Sequence, residues 1–337
     1  MKDLANRLGI SAATVSLALR DSPRISAETR ARVRAAAAEM GYVYNRGAAH
    51  LRTAQSRIIG VVVPDIRNPA FVKVLRTASR RLNQSGRMLF LCDTRDDIDR
   101  QAFFFRALGE YGADGVLVCP ARGTLPESLP DAHRGGLPTV CFARRVPDAP
   151  VDSVVNDDVE AFRIATRHLL SLGHRRIAVV GGGADISTGR DRRAGFFAAM
   201  AEAGAAVDPA LLLDSSTDQA GGCRAAEVVA AISPRVTAVL CFGDIIAFGL
   251  MLGLRRLGLE PGRDVAVVGC DDVDEAELWH PRLTTVVNKA DEAGEQAVEL
   301  LLQRIEKPDR PYENRVLPTE LIIRESCGSL IGMPNDR

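Results

Sequence analysis

The sequence predicts two architectures in one chain. Residues 1–44 read as a small all-helical head, and residues 58–337 as an α/β body of two lobes, each a doubly wound parallel sheet, with residues 45–57 linking them. Three observations carry this. Up to Gly41, apolar residues recur at helical spacing between caps and stops (Gly9, Ser11, Ser26, Gly41). From Ile58, apolar runs of strand length alternate with amphipathic helices, as expected of strands buried on both faces and joined by crossover helices. After Asp158 the alternation begins again, which implies the second lobe.

In the head, Leu4, Ala5 and Leu8 mark a first helix, and Gly9 supplies the one residue type that turns sharply without a Cβ clash. Ser11 then offers a capping hydroxyl to a second helix, Ala12 to Leu19, with Val15, Ala18 and Leu19 on one face. The small Ala5 lets the two helices cross closely. Ser26 caps a third helix, Ala27 to Met40, with Val33 and Met40 on its apolar side and Gly41 as its stop. Two short helices with a forced corner form the helix-turn-helix geometry. Its second helix enters the DNA major groove and turns its first residues, here Ser11, Ala12, Ala13 and Thr14, toward base edges. An ordinary helical hairpin in an unrelated core is the bland alternative, and charge argues against it. Residues 1–57 hold ten cations and four anions, leaving 33 cations and 39 anions for the rest of a chain whose totals are 43 and 43. A basic head on an acidic body is an electrostatic footprint for nucleic acid.

In the body, the strand runs IIGVVVP, MLFLC, GVLVC, PTVCF and SVVN alternate with helices such as Phe71 to Leu82 and Arg100 to Leu108. The second lobe has helices Ala161 to Leu172, Arg190 to Ala203, Gly222 to Ile232 and Ile245 to Leu257 between RIAVVG, LLL, AVLCF and VAVVGC. Helix Glu292 to Ile305 and the run Val316 to Ile323 remain to complete the sheets, with lobe crossings near Asn156 and Asn288. The N-lobe is expected over about 58–156 and 289–316, the C-lobe over about 157–287 and 317–330. In open parallel sheets, ligands sit beyond the carboxyl ends of strands, where Asn68, Asp244 and Asp271 fall. Their bland alternatives are a turn before Pro69 for Asn68 and a cap on the helix at Ile245 for Asp244; Arg192 could likewise pair with Asp191 on a solvated helix.

The motifs KDLANRLGIS, TVS at Thr14–Ser16, IS-AETR-ARV at Ile25–Val33 and GY-YNRGAAHLR at Gly41–Arg52 resemble the lactose-repressor family of bacterial transcription regulators. The likeness continues through IIGVVVPDIRNPAF, HLLSLGHRRIAVVGG, DRRAGF, TAVLCFGDIIAFG and VAVVGCDD with HPRLTTV. It implies a body of the periplasmic-binding-protein type I fold, a homodimer, operator DNA as partner and a small-molecule effector between the lobes. The implied DNA contacts are the recognition-helix residues Ser11, Ala12, Ala13, Thr14, Ser16 and Leu17, then Arg20, Arg24 and Ser26, and a hinge helix after Asn45 in which Leu51 wedges the minor groove beside Arg52. The implied effector contacts are Asn68, Phe71 as a stacking face, Arg144, Arg192, Asp244 and Asp271. His174 is expected to be structural.

Departures from the family pattern matter for specificity. Leu17 stands where many relatives have arginine, and Gly243 replaces the usual asparagine. Ala143-Arg144 replaces Asp-Arg, which keeps the arginine without its carboxylate. Ile186 occupies a position where a purine-sensing branch has arginine, so a purine is not supported. A sugar or derivative is the family's commonest effector.

Other classes fare worse. Gly181-Gly182-Gly183 continues as Ala184-Asp185-Ile186 and is no dinucleotide fingerprint; no nucleophile elbow or phosphate loop stands out, so no enzyme activity and no cofactor are expected. Seven cysteines mostly ending apolar runs, and five histidines without ligand spacing, predict reduced buried thiols and no metal site. No run reaches the roughly 18 to 20 apolar residues of a membrane span, and the start lacks an apolar signal core, so a cytoplasmic protein with no membrane partner is expected rather than a solute-binding protein. A regulator whose body senses a protein partner is the nearer alternative. No leucine-heptad tail follows Arg324, so dimers are expected. The family's first helix follows a capping threonine in a Thr-Ile-x-Asp-Val-Ala pattern, which Met1-Lys2-Asp3-Leu4-Ala5 matches only from its second residue, so an upstream start with Ser or Thr directly before Met1 is expected.

Overall fold

A computed structural model of the chain describes residues 1–19, 21–42, 56–134 and 136–329. It divides into two compact units, Met1–Ser56 and Arg57–Arg337. In the first, α1 (Lys2–Leu8), α2 (Ala12–Leu19) and α3 (Ala27–Glu39) enclose one core of Leu4, Ala5, Val15, Ala18, Val33, Ala36 and Ala37. Gly9 ends α1 at φ 65, and its N–H returns to the carbonyls of Ala5 and Asn6. Ser11 Oγ accepts from Thr14 N at 3.0 Å, and Ser26 Oγ from Thr29 N at 3.2 Å, so both serines cap their helices. Met40 does not join the apolar side. It is the C-cap of α3 and is 36 % exposed, while Tyr42 beyond it packs on the core.

The second unit holds two six-stranded sheets. The N-lobe sheet has the order β11-β5-β4-β3-β1-β2, all parallel, from β1 (Ile58–Val63), β2 (Met88–Asp93), β3 (Gly115–Val118), β4 (Thr139–Phe142), β5 (Asp152–Asn156) and β11 (Asn314–Leu317). The C-lobe sheet has the order β12-β10-β9-β8-β6-β7, from β6 (Ile177–Val180), β7 (Leu212–Leu213), β8 (Ala238–Cys241), β9 (Ala266–Asp271), β10 (Thr284–Val287) and β12 (Glu320–Ile322). Its edge strand β12 runs antiparallel to β10. The helices are α4 (Pro69–Gln84), α5 (Ile98–Glu110), α6 (Asp158–Ser171), α7 (Ser187–Glu202), α8 (Gln219–Ala231), α9 (Asp244–Arg256), α10 (Asp274–Leu278) and α11 (Ala290–Glu306). The run Val316 to Ile323 is therefore two strands in two sheets, separated by Pro318-Thr319. Proline lacks the N–H a ladder needs, and the chain changes lobe there.

The central strands are buried throughout, as continuous Val/Ile/Leu runs require. Helices α8 and α9 approach backbone to backbone. A Cβ on Gly222 would meet Ile246 O at 2.1 Å, and one on Gly249 would meet Gln219 O at 2.0 Å. Among the described residues no helix is long and apolar enough to cross a membrane. The cysteines are free, and all but Cys223 are buried. His174 Nδ1 lies 3.0 Å from Thr237 Oγ1, where it ties the turn after α6 to β8.

Candidate functional site

Strand carboxyl ends of both lobes open on one cavity of about 730 Å³. The N-lobe contributes Asn68, Phe71 and Arg144, and the C-lobe Arg192 and Asp271. Asn68 caps α4, its Oδ1 accepting from Ala70 N at 3.0 Å. That fixes the first turn, so Phe71 stands edge-on to Phe142 with ring centroids 6.3 Å apart. Arg144 follows β4 and is 9 % exposed. Its Nη1 donates to Pro120 O at 3.0 Å and to Asp96 Oδ1 at 2.5 Å. The arginine thus has a carboxylate partner after all, supplied by the turn after β2, where Arg95 and Asp96 take φ 53 and 57.

Arg192, on α7, does not pair with Asp191. Its Nε donates to Asp158 Oδ1 at 2.7 Å and its Nη1 to the Phe242 carbonyl, while Asp191 takes Arg145. Asp271 ends β9 with φ 137, a left-handed backbone unusual for aspartate, and is 8 % exposed. Asn288 Nδ2 donates to its Oδ1 at 2.8 Å, and the buried Asn288 Oδ1 has no partner among the described residues. Burial pushes the Asp271 carboxyl above the ordinary range, against the pull of Arg192.

Asp244 is the correction. It does not line the cavity and caps nothing: Gly243 is the N-cap of α9, and the Asp244 carboxylate turns into the C-lobe. There it is fully buried and accepts from Val273 N at 3.0 Å and Thr285 Oγ1 at 2.6 Å. Burial and the nearby Asp271 charge push its pKa up. Asp96, Asp158, Phe242 and Asn288 line the cavity without having been anticipated. Ile186 also lines it as an apolar wall. At the rim the lobes are bridged by Lys73 Nζ to Asp272 O (2.7 Å) and Asp274 (2.9 Å), by Arg122 to Asp185 (3.0 Å), and by Arg145 N to Ser187 Oγ (3.0 Å).

In the head, Ala12, Ala13, Arg24 and Ser26 are exposed, as are Ser11 and its cap, while Thr14 and Leu17 are half-buried. Ser16 is 4 % exposed: it lies on the core side of α2 with Val15 and Ala18, and is not presented for a base contact. The expected contacts Arg20, Asn45, Leu51 and Arg52 lie outside the described residues.

A helix-turn-helix head and a two-lobed, cavity-bearing body in one polypeptide define the class of ligand-responsive bacterial regulators. Residues 56–325 match the family described as periplasmic binding proteins and sugar binding domain of LacI family, and residues 1–45 match bacterial regulatory proteins, lacI family. The chain belongs to this lactose-repressor family. It is 31 % identical over 335 residues to the HTH-type transcriptional repressor PurR of Photobacterium profundum, covering 98 % of this chain and 99 % of that one. Among solved structures, a lac repressor dimer bound to operator and the anti-inducer ONPF is 25 % identical with a TM-score of 0.82, over 96 % of this chain and 98 % of that one. A LacI family regulator from Enterococcus faecium with bound ribose is 29 % identical with a TM-score of 0.71, over 80 % and 98 %.

Proposed function

We propose that the chain is a cytoplasmic, homodimeric repressor whose operator affinity is set by a small molecule bound between the lobes, and that it catalyses no reaction. The observation that carries this is the cavity of about 730 Å³ lined from both lobes, in a chain that also holds a helix-turn-helix head. A ligand touching both lobes binds one lobe arrangement better than another, which is all that coupling to DNA requires. We assign DNA contact to residues 1–44, the hinge to 45–57, and effector binding to Asn68, Phe71, Arg144, Arg192 and Asp271. The Asp271 carboxylate in the cavity wall offers an acceptor suited to ligand hydroxyls, and Arg192 supplies a donor beside it. A sugar or sugar derivative fits these groups, with Phe71 as a face for its ring. The bound ribose of the Enterococcus faecium relative supports that class. Ile186 in the wall speaks against a purine, although relatives carry the name PurR.

The test is in vitro selection of duplex DNA by the full chain, followed by thermal melting with ribose and other sugars. Retention of one sequence motif, and a ligand that raises the melting temperature and changes affinity for that motif, are expected. At 100 times its dissociation constant such a ligand adds about 2.7 kcal/mol. A chain that enriches no motif is not a sequence-specific regulator.

A further inference from the structure

We propose that α2 reads DNA through thymine methyl groups, by van der Waals contact from Ala12, Ala13 and Leu17, without a two-point hydrogen bond to any base. This rests on the DNA-binding role proposed above and goes beyond it by naming the chemistry of the bases selected. The sequence of α2 is AATVSLAL, with no Arg, Lys, Asn or Gln in it. Those are the side chains that pair bidentately with guanine or adenine in the major groove. Its hydroxyls offer at most a one-point contact in their place. Ser11 Oγ accepts from Thr14 N at 3.0 Å and lies 2.9 Å from Thr14 Oγ1, so both belong to the cap. Ser16 is buried and partnered within the fold.

What the exposed side of the helix offers is methyl groups. Ala12 and Ala13 are exposed in its first turn, and Leu17, one turn beyond Ala13, is half-exposed on the same side. Laid against any base pair, that surface leaves the edge's donors and acceptors without protein partners, so it discriminates only through apolar contact. Laid against thymine it buries the C5 methyl, the one apolar group the major groove presents. Arg24 and the basic character of the head then supply affinity without sequence, through phosphates.

The experiment uses the full chain and the duplex it selects from a random library. That duplex is remade with deoxyuridine in place of one thymine at a time, which removes the methyl and leaves every base pair and hydrogen-bonding edge intact. The expected result is affinity about fourfold lower for each thymine whose methyl α2 covers, at two or more positions in each half-site. Leu17→Arg is expected to replace one thymine requirement with guanine. A minor-groove contact does not respond, because the methyl lies in the major groove. The protein is unchanged in the deoxyuridine series, so its outcome does not depend on any variant folding. Deoxyuridine without effect at every position, or a required guanine facing α2 in the unmodified chain, overturns the proposal while leaving a DNA-binding regulator. Failure to enrich any motif removes the regulator reading itself.

Discussion

Two buried aspartates that sequence logic treats alike, Asp244 and Asp271, do different work. Asp271 faces the cavity and Asp244 faces the C-lobe interior, although both stand at the carboxyl end of a strand. Asp271→Asn keeps the shape and removes the charge. It is expected to weaken effector binding by about 10- to 100-fold, the equivalent of roughly 1–3 kcal/mol, with DNA binding retained in the absence of ligand; calorimetry and gel shift check the two halves. Unchanged ligand affinity removes Asp271 from the site. For Asp244 the readout is stability against pH. Its folded pKa and that of Asp271 are raised, so the stability they contribute is present in full below the unfolded carboxylate range near about 4 and is lost as pH rises through the raised values. Melting temperature is therefore expected to fall from pH 6 to pH 8, and Asp244→Asn to remove most of that fall. His174, whose pKa burial lowers, acts in the opposite sense. Asn68 and Asp271 were legible as cavity-lining residues because they stand at strand ends, where side chains reach the cleft, whereas Arg144 and Arg192 were legible only through the family resemblance. Asp244 was misread because its direction is set by Val273 N and Thr285, far along the chain. The Asp96 partner of Arg144 was illegible for the same reason, lying 48 positions away on a left-handed turn.

Elements were legible to within a few residues wherever period and caps agreed, as with Ser26 before α3 and Gly9 after α1. The strand run Val316 to Ile323 was not, because an apolar run carries no mark of which sheet receives it. Ser26→Ala is expected to lower head stability by about 1 kcal/mol, since Thr29 N loses its acceptor; thermal melting of the chain followed by circular dichroism checks it. In the C-lobe, Gly249→Ala places a methyl within 2.0 Å of Gln219 O, a backbone atom that cannot rotate away. Parting α8 from α9 is expected to cost about 1–3 kcal/mol, more than the roughly 1 kcal/mol that alanine gains in a helix interior. A variant as stable as the parent in urea would mean that the two helices separate freely.

At the scale of the whole chain, charge is divided: residues 1–57 carry an excess of six cations in a polypeptide whose total is neutral. DNA affinity is accordingly expected to fall with salt, the logarithmic slope steepening by about 0.9 for each phosphate neutralised, while effector affinity in the enclosed cavity changes little. Titrations of both ligands across one salt series check this, and equal slopes would contradict it. The order of the strands has a consequence of another kind, for the chain during its synthesis. The N-lobe begins at Ile58, yet α11 and β11, which cover its core and complete its sheet, end only at Leu317. A ribosome must therefore deliver nearly the entire C-lobe before the lobe it started first can close. Through that interval Leu82, Leu117 and Val140 lack the cover of Ala297 and Leu301, which makes the half-made N-lobe the natural client of a chaperone.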